Sequence, residues 1–140
     1  IQDQLKAIGI NIEIKVFEFG AYVSKTALPD KELYFLSWNS SGDGDASLYP
    51  LFHSSQHGAS GNRSFYSNKE IDELLDKART SVDQDERTEI YKKVQDILQE
   101  ELPHYTLVYP KLNLAKSTKV KGMIFKKNGY VDLTKAYVEK

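Results

Sequence analysis

The stretch from Leu33 to Ser64 constrains the fold most, because its character changes abruptly within a few residues. An apolar run over 33–36 leads to Trp38 and then to the polar, glycine-containing stretch 39–46. A short continuous apolar run that is rich in aromatic residues is typical of a strand buried on both faces. In open α/β sheets, ligands bind at the carboxyl ends of such strands. The sequence therefore predicts a buried strand that carries a tryptophan and two carboxylates to a cleft.

The N-terminal part of the chain alternates between helical and strand patterns. Apolar residues at i, i+4 and i+7 predict a helix over 1–8 that is ended by Gly9. Strict alternation over 10–16 predicts a strand with one buried face, and 20–27 is expected to form a short helix. With the apolar run over 33–38, this strand–helix–strand order predicts a right-handed crossover and a parallel pair.

Two amphipathic helices are predicted after the polar loop, which itself holds a short helical turn around 46–52. A capping box over 67–70 begins the first helix, 68–79. The second helix, 83–101, begins at a cluster of acidic residues and is ended by Pro103. Further short strands are predicted at 105–109, 112–115 and 123–125.

The composition is that of one ordinary globular domain. The chain has 140 residues, of which 40% are hydrophobic and 28% charged, so 1–140 is predicted to form a single α/β lobe. A net charge of −1 produces no field that favours nucleic acid. The sequence contains no cysteine, which excludes disulfides, thiolate metal ligands and a cysteine nucleophile.

The first residues lie inside a predicted element. Ile1, Leu5 and Ile8 share one helical face, with neither an initiator methionine nor a capping residue before them. We therefore expect a fragment of a longer polypeptide, without its targeting segment and without a second lobe.

Several separated segments of the sequence resemble one protein family. They are Trp38 with the polar stretch to Ala46, Leu48–Phe52, Gly61–Asn68, Glu70–Arg79 and Glu86–Leu98. These segments resemble the C-terminal lobe of extracellular solute-binding proteins for oligopeptides and dipeptides (solute-binding protein family 5), which feed ABC importers. The resemblance implies an α/β, periplasmic-binding-protein-like type II fold, in which two lobes close on a peptide.

The resemblance also implies the setting of the protein. The expected partners are a peptide ligand, the missing N-terminal lobe and the membrane permease of the importer, and no nucleic acid. The protein is expected to be a monomeric binding protein, to have no enzymatic activity and to need no cofactor. Its expected location is the extracellular face of the cell membrane, through a lipid anchor, or the periplasm.

A peptide ligand carries an ammonium group, which needs a carboxylate partner of good geometry. In the resembling family an aspartate shortly after the tryptophan has this role, in a common version at the position where this chain has Ser41. The carboxylate candidates are therefore Asp43 and Asp45. A local role is the alternative for both, because Asp-Gly is typical of turns and aspartate is a favoured helix cap.

The full ligand-binding set predicted from the sequence combines these residues with further polar and aromatic ones. It consists of Trp38, Asn39, Ser41, Asp43, Asp45, Asn62 and Arg63. Trp38 would supply an aromatic wall that accepts many side chains, with core packing as its alternative. Arg63 would clamp a ligand carboxylate bidentately, and would equally pair with a carboxylate of its own domain or face the opposite lobe.

Two other classes of function stay open on the sequence alone. One is a hydrolase fragment that uses Asp43, Asp45 and His53. The other is a protein-interaction domain that presents the helices 68–79 and 83–101 to a partner.

The histidines do not form a recognisable metal motif. His53 and His57 have i, i+4 spacing, but no glutamate lies between them and Gly58 argues against a helix through both. His104 stands apart, after a proline. We therefore predict no metal site.

Overall fold

The computed structural model of the chain describes residues 1–39, 42–126 and 129–139. Five α-helices lie in this part of the chain: α1 (Gln2–Lys6), α2 (Phe19–Thr26), α3 (Gly44–Phe52), α4 (Lys69–Thr80) and α5 (Gln84–Glu101). Four short strands follow them: β1 (Val120–Lys121), β2 (Ile124–Phe125), β3 (Val131–Asp132) and β4 (Tyr137–Val138). Two 3₁₀ turns, Ser54–Gln56 and Gly58–Ser60, connect α3 to the segment before α4.

Helix α4 forms as its sequence predicts. The side chain of Asn68 accepts hydrogen bonds from the backbone N–H groups of Glu70 and Ile71, at 2.9 and 3.3 Å. The cap is therefore Asn68 and not Ser67, the first residue of the predicted capping box. Apolar residues at helical spacing behind the cap, Ile71 and Leu75 among them, are completely or almost completely buried.

Helix α5 lies against α4. Asp83 caps it by accepting from the N–H groups of Asp85 and Glu86, and Leu102, in the left-handed conformation with φ of 48°, ends it before Pro103. The core is formed by helices α3, α4 and α5 alone, through Phe52, Ile71, Leu75, Ala78, Ile90 and Val94. The predicted helices 46–52, 68–79 and 83–101 are confirmed. Because the apolar stripes of α4 and α5 face this shared core, they are not available as a partner-binding face.

The two N-terminal helices are also confirmed. α1 is followed by Gly9, whose φ of 87° is the left-handed conformation expected of a C-terminal glycine. α2 begins at a cap formed by Glu18, whose carboxylate accepts from the N–H of Gly20 at 2.8 Å. These hydrogen bonds hold the pKa of Glu18 below its usual value.

The predicted N-terminal strands are wrong as secondary structure. Neither 10–16 nor 33–38 belongs to a hydrogen-bonded strand, and no hydrogen bond joins the two segments. The predicted parallel pair with its crossover is therefore absent from the described residues. Leu33 and Phe35, expected to be buried on both faces, are 59% and 54% exposed. Their apolar sequence suits a strand, but no strand in the described part of the chain pairs with this segment.

The C-terminal part of the chain contains two short antiparallel pairs. β1 pairs with β4 and β2 pairs with β3. The strand predicted at 123–125 is confirmed over the two residues of β2, whereas those predicted at 105–109 and 112–115 are wrong. Of the helices in the described ranges, none combines the length and the apolar character that a membrane crossing requires.

Candidate functional site

Asp43, the first ammonium-binding candidate, lies at the N-terminus of α3. Its Oδ1 accepts a hydrogen bond from the backbone N–H of Asp45 at 2.7 Å, which caps the helix. Both carboxylate oxygens also accept from Nη2 of Arg87 in α5, at 3.1 and 3.3 Å. The Arg87 side chain is only 19% exposed, whereas that of Asp43 is 54% exposed. Asp43 therefore has a cation on its inner side and solvent on its outer side.

Asp45, the second candidate, is paired in a similar way with α4. Its Oδ1 lies 3.4 Å from Nε of Arg79. The guanidinium of Arg79 stacks over the ring of Tyr49, 3.8 Å from the ring centroid. Each candidate carboxylate thus contacts an arginine of one of the core-forming helices, α4 or α5.

Tyr91 and Gly44 bring the loop close to α5. The hydroxyl of Tyr91 accepts from Nη2 of Arg87 at 3.2 Å. A Cβ added to Gly44 would lie 2.6 Å from Cε2 of Tyr91, so a larger residue there would require the Tyr91 ring to shift. Burial raises the pKa of Tyr91, and the positive charge of Arg87 opposes that rise. Neither Tyr91 nor Gly44 was predicted as part of the site.

Trp38 lies at the other end of the polar loop. Its indole Nε1 donates to the carbonyl oxygen of Ala46 at 3.4 Å, which links the loop to the first turn of α3. The side chain is not part of the buried core, since the residue is 44% exposed. Asn39 beside it is exposed, and Ser41 lies outside the described residues. Trp38 and Asp43 are therefore both partly exposed beside the first turn of α3.

Asn62 has a structural role that the sequence prediction missed. It is completely buried, and its Nδ2 donates to the carbonyl oxygens of His53 and Tyr66 at 3.1 and 2.8 Å. Its Oδ1 accepts from the backbone N–H of Tyr66 and from the hydroxyl of Ser64. Because the amide is buried and fully hydrogen bonded, we assign Asn62 to the scaffold of the loop rather than to the ligand-binding surface.

Arg63 points to α2 instead of the Asp43 loop. Its Nη1 donates to the carbonyl oxygen of Val23 at 2.6 Å and to Oγ1 of Thr26 at 2.9 Å. These groups lie at the C-terminal end of α2, where the helix dipole favours a cation. No contact given by the described residues joins Arg63 to Asp43 or Asp45. The structure therefore places both aspartates and the Trp38 indole at the first turn of α3, and places Arg63 at the end of α2.

His53 does not combine with the loop aspartates. The residue is 8% exposed, and its Nδ1 accepts from the backbone N–H of Ser55 at 3.1 Å. Its Nε2 lies 3.4 Å from Oδ1 of Asp76 and has no hydrogen-bond partner in the described part of the chain. The hydrolase alternative required His53 beside Asp43 and Asp45. The polar contacts of the His53 ring are with Ser55, Asp72 and Asp76 instead, and the comparisons reported below do not favour this alternative.

The other histidines are also separate from the loop. His57 contacts Tyr66 through Nε2 and the carbonyl oxygen, 3.0 Å apart. His104 stacks on Phe52 with ring centroids 4.9 Å apart, and partial removal from water lowers its pKa. Within the ranges that the structure describes, no group of three or more histidine or acidic side chains is placed to hold a metal ion.

Comparison with curated proteins gives several relatives, although no family model matches the chain. The di/tripeptide-binding protein 2 of Pseudomonas aeruginosa (strain UCBPP-PA14) is 33% identical over 123 residues, which are 87% of this chain and 23% of the relative. The glutathione-binding protein GsiB of Escherichia coli (strain K12) is 34% identical over 128 residues, 86% of this chain and 25% of the relative. These relatives are binding proteins, and the chain spans about a quarter of their length.

A solved structure gives the same result for the fold. The ABC transporter-associated periplasmic binding protein DppA from Helicobacter pylori, in complex with the peptide STSA, matches with a TM-score of 0.80 and 35% identity. The match covers 99% of this chain and 28% of that protein, and confirms the predicted periplasmic-binding-protein-like fold. These matches, which cover most of this chain and about a quarter of each relative, are those expected of a fragment of a family 5 solute-binding protein, as the resemblance implied.

Proposed function

We propose that the chain is one lobe of a two-lobed peptide receptor that delivers its ligand to the permease of an ABC importer. The observation that carries this proposal is the match of almost the whole chain to a periplasmic protein that holds a bound peptide. The relatives bind di- and tripeptides or glutathione by their names, which supports a short peptide or peptide-like ligand.

The open face beside α3 suits one side of a peptide cleft. Trp38 offers an aromatic surface that contacts side chains without selecting one of them. Asn39 and Ser41 supply polar groups for a peptide backbone. The outer side of the Asp43 carboxylate is open to a ligand ammonium group, while Asp45 is only 27% exposed. We therefore place the ligand N-terminus at Asp43, with Asp45 as the alternative partner.

Arg63 has a second proposed role. Only Nη1 of its guanidinium is used by the contacts at the end of α2. The remaining donors suit a carboxylate, from the ligand or from the other lobe.

The setting follows from the same proposal. A receptor that feeds an importer works outside the cytoplasmic membrane, either in the periplasm or held to the membrane by a lipid anchor. We propose a monomer, because both lobes of such a receptor come from one polypeptide and closure needs no second copy.

Calorimetric titration of the full-length polypeptide with a mixed library of di- to octapeptides tests the proposal. We expect binding by the wild type and about 10- to 100-fold weaker binding after Asp43→Ala, because a hydrogen bond to a charged group contributes about 1.5–3 kcal/mol. Asp45→Ala tests the alternative partner. Asp96→Ala is the matched control, because Asp96 is an exposed carboxylate of α5 and should leave the affinity unchanged. Absence of peptide binding by the wild type would contradict the proposed function.

A further inference from the structure

Arg87 holds Asp43 in a contact that resembles the contact expected of a ligand. Its Nη2 lies 3.1 Å from one carboxylate oxygen and 3.3 Å from the other, as an ammonium nitrogen would. The same nitrogen donates to the hydroxyl of Tyr91, and the guanidinium lies 5.6 Å from the centroid of that ring. The arginine is therefore positioned by its own helix, independently of any ligand.

Burial increases the effect of this arginine on the carboxylate. The Arg87 side chain is mostly buried, so its charge is screened less by water than a surface charge. A ligand ammonium at the exposed side of Asp43 is attracted by the carboxylate and repelled by the guanidinium behind it. The strength of ammonium binding is the difference between these two interactions.

We propose that Arg87 is a specificity-determining residue of the peptide site, which sets how strongly Asp43 distinguishes a free peptide N-terminus from a blocked one. This inference rests on the proposed function, and on Asp43 as the carboxylate that meets the ligand. With Arg87 in place, the site holds nearly balanced charge before the ligand arrives. The affinity for a peptide then depends less on a free ammonium group than it would at an unpaired carboxylate.

The opposite role for Arg87 would be purely structural. An arginine that only fixed Asp43 and the start of α3 would contribute equally to the binding of every ligand, and its loss would lower the affinity for all of them. The charge of the ligand N-terminus separates the two roles, because only the specificity role depends on it.

The experiment compares the peptide STSA with its N-acetylated form on the full-length polypeptide, by calorimetry. The variant Arg87→Gln removes the charge and keeps amide donors for Asp43. We expect it to bind the free peptide about tenfold more tightly, since one nearby like charge is gone, and the acetylated peptide within about twofold of the wild type. Arg79→Gln is the matched control, because it removes the equivalent partner of Asp45 and should leave both affinities unchanged.

Three results would overturn the inference. The first is that Arg87→Gln changes the affinities for both peptides by the same factor. The second is that it weakens the binding of the free peptide alone. The third is that Arg79→Gln produces the effect expected of Arg87→Gln. A thermal unfolding curve of each variant close to that of the wild type shows that the folded protein was measured. If the wild type bound neither peptide, the proposed function itself would be contradicted, and this inference with it.

Discussion

The central helical region and the segments on either side of it differ in how they bury apolar residues. All six residues of the hydrophobic core lie between Phe52 and Val94. Within 43–101 only Val82 is an exposed large hydrophobic residue, whereas such residues are frequent over 1–38 and 102–138. The flanking segments are in fact richer in hydrophobic residues than the helical region, so their exposure reflects missing packing partners and not a shortage of apolar side chains.

The reason is the way in which each kind of element satisfies its backbone. A helix makes its hydrogen bonds within itself and needs only one neighbouring surface for its apolar stripe. A strand needs an adjacent strand for its backbone and covering layers for its faces. Within the described residues, the segments 10–16 and 33–38 pair with no adjacent strand, and large side chains of both, such as Ile14 and Leu33, stay exposed. In the proposed two-lobed receptor, strands from the remainder of the polypeptide would supply both the pairing and the covering layers.

Hydrogen exchange of backbone amides gives the largest expected contrast between the two regions. In the 140-residue chain, the amides of Leu75 and Val94 are helical and buried, so we expect protection up to the free energy of global unfolding, about 5 kcal/mol or more. The amides of Ile14 and Leu36 donate no backbone hydrogen bond within the described residues and should exchange almost without protection. Mass spectrometry or NMR measures both sets.

The same measurement on the full-length polypeptide sharpens the comparison. We expect the amides of 10–16 and 33–38 to gain protection there, because pairing with further strands would satisfy them. Strong protection of these amides in the 140-residue chain alone would contradict the explanation given above. No gain in the full-length polypeptide would contradict the proposed pairing.

Truncation of matched leucines should affect the two regions unequally. Leu75→Ala removes a side chain that is 1% exposed and should lower the free energy of unfolding by about 2–5 kcal/mol. Leu36→Ala makes the same chemical change at a residue that is 41% exposed, and should cost less than about 0.5 kcal/mol. Urea denaturation of the two variants measures the difference. Equal losses would mean that 33–38 is packed as tightly as α4.

The helices and the polar loop could be predicted because their signals are local. Asp83 caps helix α5 and Pro103 follows its end, and each of these signals acts within a few residues of the helix terminus that it defines. The pairing of strands depends on residues far along the chain or beyond it, so an apolar run such as 33–38 predicts a strand but not its partner. The same limit applies to burial, since the sequence does not say which chain segments cover a face.

The candidate site likewise contains residues that the local sequence could indicate and residues that it could not. Trp38 and Asp43 lie next to the predicted strand and could be selected from the local pattern. Arg87 lies 44 residues from Asp43, and the pattern gave no sign of this ion pair. Arg87 and Tyr91 have i, i+4 spacing on a predicted helix, and this was the one local signal that could have indicated that two polar side chains of the site lie together. Asn62 was assigned to the ligand because a buried asparagine and a ligand-binding one look the same in a sequence.

Asn62 therefore provides the last stability prediction, with an expected loss smaller than that of Leu75→Ala. Asn62→Ala leaves the backbone N–H of Tyr66 without its acceptor and removes one donor from each of the carbonyl oxygens of His53 and Tyr66, and should cost about 1–3 kcal/mol. Asn39→Ala is the matched control, because Asn39 is exposed and no fixed network depends on it. Urea denaturation compares the two variants. Equal stability would contradict the scaffold role, and would return Asn62 to the residues whose function is contact with the ligand.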